Sequence, residues 1–225
     1  MTVRVLIAGI IIIMNIDIMY LLIVLGVILV SMTFHEAMHA YASYWLGDDT
    51  ARLLGRLSLN PIKHIDPFLT ILLPLMLAVS GAPIFGGAKP VPFNPNNVRW
   101  GEWGAALVAL AGPITNFIIA FLLFGIWVLV GTPNQQIIWG QILITAIQVN
   151  LGFFIFNMIP IPPLDGSRVL YALAPDFVRR LMEYMERFGI LIVFGIILMA
   201  GSAFGVLITS AINFFLLLFS RLFGF

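Results

Sequence analysis

Phe34-His35-Glu36-Ala37-Met38-His39 is the stretch that decides the fold, because it places three ionisable side chains at the end of a long apolar run. The residues just before it, Ile18 to Met32, carry no charge at all. Ionisable groups in or near hydrocarbon are costly, and they usually mark a functional site. We therefore predict a transmembrane helix from Ile18 to Leu46, with a polar site toward its C-terminal end.

The composition of the whole chain indicates that its solvent is lipid. Hydrophobic residues make up 61% and charged residues 9% of the 225 positions, against about 25% charged residues in an ordinary soluble domain. The formal net charge is +1, and no basic patch with interleaved aromatic residues points to nucleic acid as a partner. The chain lacks cysteine, so metal ligands would have to be His, Asp or Glu.

The expected fold is that of an all-α polytopic membrane protein with about five to six transmembrane helices, formed by residues 1–225 as a single integral membrane domain. Glu102 to Val130 and Ile137 to Ile159 are the next two apolar stretches long enough to span a bilayer. The loop Asp48 to Pro67 contains three basic residues, which place it in the cytoplasm by the positive-inside rule. The polar site at the end of the first helix should therefore lie toward the cytoplasmic side.

The stretch Phe68 to Phe85 is apolar, but proline and glycine interrupt it, and a Gly- and Pro-rich segment follows. If it crossed the membrane fully, Lys89 and Arg99 would lie outside, against the positive-inside rule. We predict a re-entrant, partly extended segment against the site, since irregular backbone at membrane depth needs cover from protein or a water-filled cavity. An ordinary short helix with a surface loop is the alternative.

Both ends of the chain are less clearly patterned. Val3 to Ile16 is too short to span comfortably, and it is expected to form a short membrane segment or an interfacial helix. Gly189 to Phe219 fits either one long tilted helix or two short helices folded back near Gly201-Ser202. We favour the hairpin, at about residues 188–221, because it returns Arg221 to the inner side.

The histidines suggest metal chemistry. On a helix, His35 and His39 share one face and can offer two imidazole nitrogens to one metal ion, with Glu36 beside them. H-E-x-x-H is a zinc pattern in which the glutamate acts as general base, since zinc lowers the pKa of a bound water to about 7. The competing interpretation is a pair of hydrogen-bonded core histidines.

A catalytic zinc ion needs a third protein ligand. Asp165 follows the proline-rich segment Asn157 to Pro163 at the end of the third secure helix, and Gly166 permits a turn beside it. By itself Asp165 could equally be the N-cap of a helix from Ser167 to Leu173. Two histidines that need one more ligand favour the metal role. His64 and Asp66 are interpreted instead as a polar loop pair or a helix cap.

His35-Glu36-Ala37-Met38-His39, together with Asn157-x-x-Pro160-x-Pro162-x-Leu164-Asp165-Gly166, resembles the paired signatures of the site-2 protease family of intramembrane zinc metalloproteases. The stretch Arg56 to Pro67 and Gly87-Ala88-Lys89-Pro90-Val91 resemble its compact branch without a PDZ domain. The resemblance covers about residues 18–173.

The resemblance implies a three-helix catalytic core, one zinc ion held by His35, His39 and Asp165, and Glu36 as general base. It also implies that Asn157 assists catalysis by stabilising the oxyanion or the scissile segment, and that Asn116 lies near the metal. The implied substrate is a transmembrane protein cut in or near its membrane segment. Self-association as a homo-oligomer is left open.

Two other classes of function stay open at this point. A membrane metal carrier or transporter would also place ionisable residues at membrane depth, but it predicts inverted repeats, which the sequence lacks, and no need for Glu36. A catalytically inactive relative would bind membrane proteins without cutting them. Replacement of Glu36 separates both alternatives from a protease.

Overall fold

The computed structural model describes residues 17–80, 84, 86–189, 191–192, 195 and 201–224. Its helices, in chain order, are α1 (Ile18–Trp45), α2 (Thr50–Leu53), α3 (a π-helical turn at Pro67–Leu72 continued by Leu73–Ser80), α4 (Glu102–Leu129), α5 (Ile138–Asn157), α6 (Gly166–Leu173), α7 (Asp176–Glu186) and α8 (Gly201–Leu222). This part of the chain contains no β-strand. The all-α prediction is confirmed.

Four of these helices, α1, α4, α5 and α8, are long and apolar enough to span a membrane. The first three match the predicted core helices to within two residues at each end. The predicted segment Val3 to Ile16 lies outside the described residues, as does most of the first arm of the predicted C-terminal hairpin. The polytopic architecture is therefore confirmed for the part of the chain that the structure describes.

Helices α1, α4 and α5 pack against one another as the core of the fold. Val24, Ile28 and Met32 of α1 form one buried cluster with Phe153 of α5. The buried face of α4 is rich in small residues, among them Ala105, Ala109 and Gly112. Small residues let helix backbones approach closely in a membrane. This face of α4 thus approaches the C-terminal half of α1 closely at Gly112.

The segment after α3 comes back to the place where α3 begins. The N–H of Gly87 donates to the carbonyl of Leu69 (3.0 Å), and the Oγ1–H of Thr70 donates to the carbonyl of Gly87 (2.7 Å). The N–H of Lys89 donates to the carbonyl of His64 (2.9 Å). The apolar part of α3 is also shorter than the spanning helices. The chain thus returns to the start of α3, as the re-entrant prediction requires, while its depth in the membrane remains a prediction; we name residues 86–94 the return segment.

Helix α8 packs on α4 and α5 through stacked aromatic rings. Phe204 near its start contacts Phe156 at the end of α5, and Phe219 near its end contacts Phe121 and Phe124 of α4. The helix therefore runs antiparallel to α5. This places Arg221 at the end of the bundle opposite His39, which differs from the expected return of Arg221 to the side of the site. The hairpin itself remains a prediction, because its first arm is largely undescribed.

Helices α6 and α7 form a pair whose mutual contacts are polar. Arg168 forms an ion pair with Glu186 (2.6 Å), and the hydroxyl of Tyr171 donates to Glu183 (2.6 Å). This hydrogen bond raises the pKa of Tyr171 to about 12. Helix α6 begins at Gly166, directly after Asp165. Its contacts with α7 hold it in place.

Candidate metal centre

His35 and His39 lie side by side on the buried face of α1. Their Nε2 atoms are 3.0 Å apart, and their rings meet edge to face. The separation of four residues produces this arrangement, because one helical turn stacks the two side chains. The pair lies in the C-terminal half of α1, where the sequence predicted it.

Each imidazole is oriented by a hydrogen bond from its other nitrogen. The Nδ1–H of His39 donates to the carbonyl of Val108 (2.8 Å), and the Nδ1–H of His35 donates to Oδ1 of Asn116 (2.5 Å). A carbonyl oxygen can only accept, so the proton of neutral His39 lies on Nδ1. Both Nε2 atoms then present lone pairs. This is the usual arrangement in which partners outside the metal shell fix a ligating histidine.

The partner of His35 is itself held by a buried polar network. The Nδ2–H of Asn116 donates to Oδ1 of Asn150 (2.8 Å), and the Nδ2–H of Asn150 donates to Oγ of Ser31 (2.9 Å). The network joins α4, α5 and α1 at one level. The resemblance placed Asn116 near the metal, but Asn150 and Ser31 were not identified as site residues. Their one signal in the sequence is that polar side chains interrupt apolar helices.

Asp165 completes the cluster. Its Oδ2 lies 3.2 Å from Nε2 of His35 and 3.4 Å from Nε2 of His39. Asp165 occupies the N-cap position of α6, but its side chain makes no capping hydrogen bond to that helix, so both of its oxygens are left to the cluster. The turn depends on Gly166, because a Cβ there would lie 2.4 Å from the carbonyl oxygen of Met158.

These three side chains fit a zinc ion. The two Nε2 lone pairs and Oδ2 of Asp165, a buried oxygen without a hydrogen-bond donor, point at one another. Such a set repels itself unless a cation lies among the atoms. Ligand atoms about 2.0–2.1 Å from a tetrahedral zinc ion are about 3.3 Å apart, close to the observed separations of 3.0, 3.2 and 3.4 Å.

Helix α4 packs directly against the histidine pair at Gly112. A Cβ at this position would lie 2.4 Å from Nε2 of His39 and 2.7 Å from Cε1 of His35. No side chain larger than hydrogen fits there unless the imidazoles move. Gly112 therefore lets α4 approach closely the part of α1 that carries the two histidines.

Glu36 is buried beside the cluster and points toward the return segment. Its Oε2 accepts a hydrogen bond from the backbone N–H of Val91 (2.8 Å). One carboxylate oxygen is therefore oriented by a backbone group. The sequence indicated Glu36 as a site residue, but not that Val91 is its partner.

The other polar residues singled out in the sequence lie in different surroundings. The amide of Asn157 donates to the carbonyl of Phe153 within α5 (3.0 Å), so its catalytic role remains a prediction. Asp66 accepts hydrogen bonds from the N–H groups of Phe68 and Leu69, which confirms the helix cap. The ring of His64 donates from Nε2 to the carbonyl of Ser58 (2.7 Å).

We expect Asn116→Ala to weaken zinc binding by about 10- to 100-fold, because the substitution frees the His35 ring and leaves its Nδ1–H without an acceptor. Competition with a chromophoric chelator measures the affinity. Ile118→Ala is the matched control, since Ile118 lies on the same helix with an exposed side chain. Equal affinity in both variants would contradict the orienting role of Asn116.

Comparisons with known proteins find related sequences. The sequence model of peptidase family M50 matches residues 20–135. The chain is 42% identical over 171 residues to the "Putative zinc metalloprotease YwhC" of Bacillus subtilis (strain 168), a match that covers 73% of this chain and 75% of that protein. It is 31% identical over 166 residues to the "Putative zinc metalloprotease Rip2" of Mycolicibacterium smegmatis, covering 73% of this chain and 62% of the relative. No solved structure matches significantly.

Proposed function

This chain belongs to peptidase family M50 and is a zinc metalloendopeptidase of the membrane, and from this premise we propose that it cuts transmembrane proteins in or near their membrane segments. The observation that carries the proposal is the position of the donor set. His35 and His39 belong to a helix long and apolar enough to span the bilayer, and Asp165 lies in the short segment between another such helix and α6. A peptide bond that reaches this centre must come from a chain inside the bilayer or at its surface.

His35, His39 and Asp165 would hold the zinc ion. When bound through three protein ligands, zinc activates a water molecule and polarises the substrate carbonyl. The protein's own share is to fix the ligands: Asn116 and the carbonyl of Val108 orient the imidazoles. The close approach of α4 at Gly112 also leaves them little space to move.

Glu36 is proposed as the general base. It takes a proton from the attacking water and later delivers that proton to the amine nitrogen that leaves as the peptide bond breaks. The N–H of Val91 occupies Oε2, so Oε1 is the oxygen for this proton transfer. Asn157, at the end of α5, is proposed to donate a hydrogen bond to the developing oxyanion or to the scissile segment after its side chain leaves Phe153.

The substrate must lose helical structure before it is cut. In an intact transmembrane helix every carbonyl in the interior is hydrogen-bonded within the helix, so an attackable peptide bond requires local unwinding. Residues that break helices are therefore expected near the cleavage site. The basic loop between α1 and α3 supports a site toward the cytoplasmic face, and water is expected to enter from that side.

The proposal predicts that cleavage depends on the metal and is restored by it. The purified chain, reconstituted with a transmembrane substrate, should lose activity in 1,10-phenanthroline and recover it with added zinc. Mass spectrometry of the products should place the cut within or beside the membrane segment. A wild type that binds zinc but never cuts would favour an inactive relative, whereas zinc transport into vesicles would favour a carrier.

A further inference from the structure

We propose that Asp48 and Arg56 are positioning residues for the general base and that they act through the return segment. The two side chains hold the segment on either side of Val91, whose N–H binds Glu36. The inference rests on the proposed function, since it takes Glu36 to be the base.

Val91 lies in the sequence Pro90-Val91-Pro92. Proline has no backbone N–H and fixes its own φ angle, and a residue before proline is biased toward extended backbone. Val91 therefore carries the one amide hydrogen of this tripeptide. That hydrogen is donated to Oε2 of Glu36 at 2.8 Å, in a buried position. The segment presents a single donor to the base with no neighbouring amide to compete.

Arg56 holds the segment before Val91. Its guanidinium donates to the carbonyl of Lys89 (2.5 Å), while the N–H of Lys89 donates to the carbonyl of His64 (2.9 Å). Both hydrogen-bonding groups of the Lys89 backbone are thus bound by the loop between α2 and α3. The Arg56 side chain is buried, with the residue only 8% exposed. Burying a charge is costly unless it makes specific contacts, and here a main contact is to the return segment.

Asp48 holds the segment after Val91. Its Oδ2 accepts the N–H of Asn94 (2.9 Å), and its Oδ1 accepts from Nδ2 of Asn97 (3.2 Å) and the hydroxyl of Thr50 (2.6 Å). Burial works against ionisation, but these hydrogen bonds outweigh it and lower the pKa of Asp48. The residue is fully buried, and no contact joins it to His35, His39 or Asp165. It acts on the segment and not on the metal ligands.

With both ends held, the position of the Val91 N–H is fixed relative to Glu36. Release of either end would let the segment shift, and a misplacement of about 1 Å can cost up to about a hundredfold in rate. The zinc ligands would be untouched, because they are oriented by Asn116 and Val108 instead. Loss of a positioning residue should therefore lower kcat and leave zinc binding intact.

The chain offers matched controls for both variants. Asp48→Asn is paired with Asp49→Asn, and Arg56→Gln with Arg52→Gln. Asp49 and Arg52 form an ion pair at α2, between Asp48 and Arg56 in sequence (2.8 Å), but their side chains are 48% and 51% exposed. An exposed pair of this kind contributes little to stability. The controls make the same chemical changes without reaching the return segment.

In the full-length, zinc-loaded chain, Asp48→Asn and Arg56→Gln should lower kcat about tenfold or more, with KM changed less than about twofold. Zinc content should equal that of the wild type. Both control variants should cleave at the wild-type rate. A general structural role would instead reduce zinc content and kcat together, and that result would overturn the proposal.

Hydrogen exchange reads the inferred contact without using activity. Because prolines flank Val91, an exchange rate assigned between Lys89 and Phe93 belongs to the Val91 amide. Its exchange should accelerate in Asp48→Asn, in Arg56→Gln and in Glu36→Ala, and stay unchanged in the controls. If Asp48→Asn does not fold, Pro92→Ala tests the same segment by relaxing its backbone, and the Val91 amide, resolved from the amide that the substitution adds at position 92, should also exchange faster.

The two proposals fail in different ways. Unchanged exchange at the Val91 amide in both Asp48→Asn and Arg56→Gln would overturn the positioning role, whatever their cleavage rates. Cleavage that persists in Glu36→Gln would overturn the assignment of the base, and with it the positioning role in catalysis. Faster exchange of the Val91 amide in Asp48→Asn and Arg56→Gln, together with a normal kcat, would show that the hydrogen bond to Glu36 exists but does not serve the reaction. That result would also overturn the inference.

Discussion

Glu36→Gln is expected to lower the cleavage rate by about 10³-fold while the protein keeps its full zinc content. Glutamine preserves the size of the side chain and can still accept the hydrogen bond from Val91 N–H. It cannot take up a proton at neutral pH, so the attacking water is no longer deprotonated. The measurement is initial rate on a transmembrane substrate, run beside elemental analysis of the same preparation.

Asp165→Ala provides the contrast for this variant. It removes an oxygen that lies within 3.4 Å of both histidine Nε2 atoms, so zinc and cleavage should be lost together. A Glu36→Gln protein that still cuts at the wild-type rate would exclude Glu36 as the base. A Glu36→Gln protein that loses zinc would show that the residue serves the metal shell.

Gly112→Ala is expected to weaken zinc binding by at least about a hundredfold, the upper range for a disturbed ligand shell. The added methyl carbon would lie 2.4 Å from Nε2 of His39. Either the imidazoles turn away or α4 moves off α1, and both outcomes separate the ligands. Zinc affinity by competition and cleavage on the same sample measure the effect.

Gly26→Ala is the matched control for this substitution. Gly26 lies in α1 as the histidines do, but a Cβ there meets no atom within 4 Å. Alanine also has the higher helix propensity, so this variant should keep zinc and activity. Normal zinc affinity in Gly112→Ala would mean that the histidine pair can adjust at little cost, which would contradict the tight packing.

The helices and the histidine pair could be predicted because their signals are local. The apolar runs of α1, α4 and α5 are set by the thickness of the bilayer, and the four-residue spacing of His35 and His39 is set by the helix. Asp165 could be predicted as the third ligand because two histidines leave a catalytic zinc site one protein ligand short. These inferences needed no knowledge of how the helices pack.

The remaining features depend on packing between distant parts of the chain. No spacing in the sequence pairs Asn150 with Ser31, or Val91 with Glu36. The direction in which α8 runs could not be predicted from the sequence either. The expectation that Arg221 returns to the side of the site rested on the charge of that one residue. In the structure, α8 is oriented by the contacts of Phe204 with α5 and of Phe219 with α4.

The three proposed metal ligands lie far apart in the chain, which bears on when the centre can form. His35 and His39 enter the membrane with α1, whereas Asp165 is synthesised only after α4 and α5. A nascent chain therefore passes through a stage in which the histidines are inserted but their third partner does not yet exist. The centre can close only when the later helices have docked. Order of synthesis thus delays activity, so an incomplete copy of this protease has no centre with which to cut its neighbours.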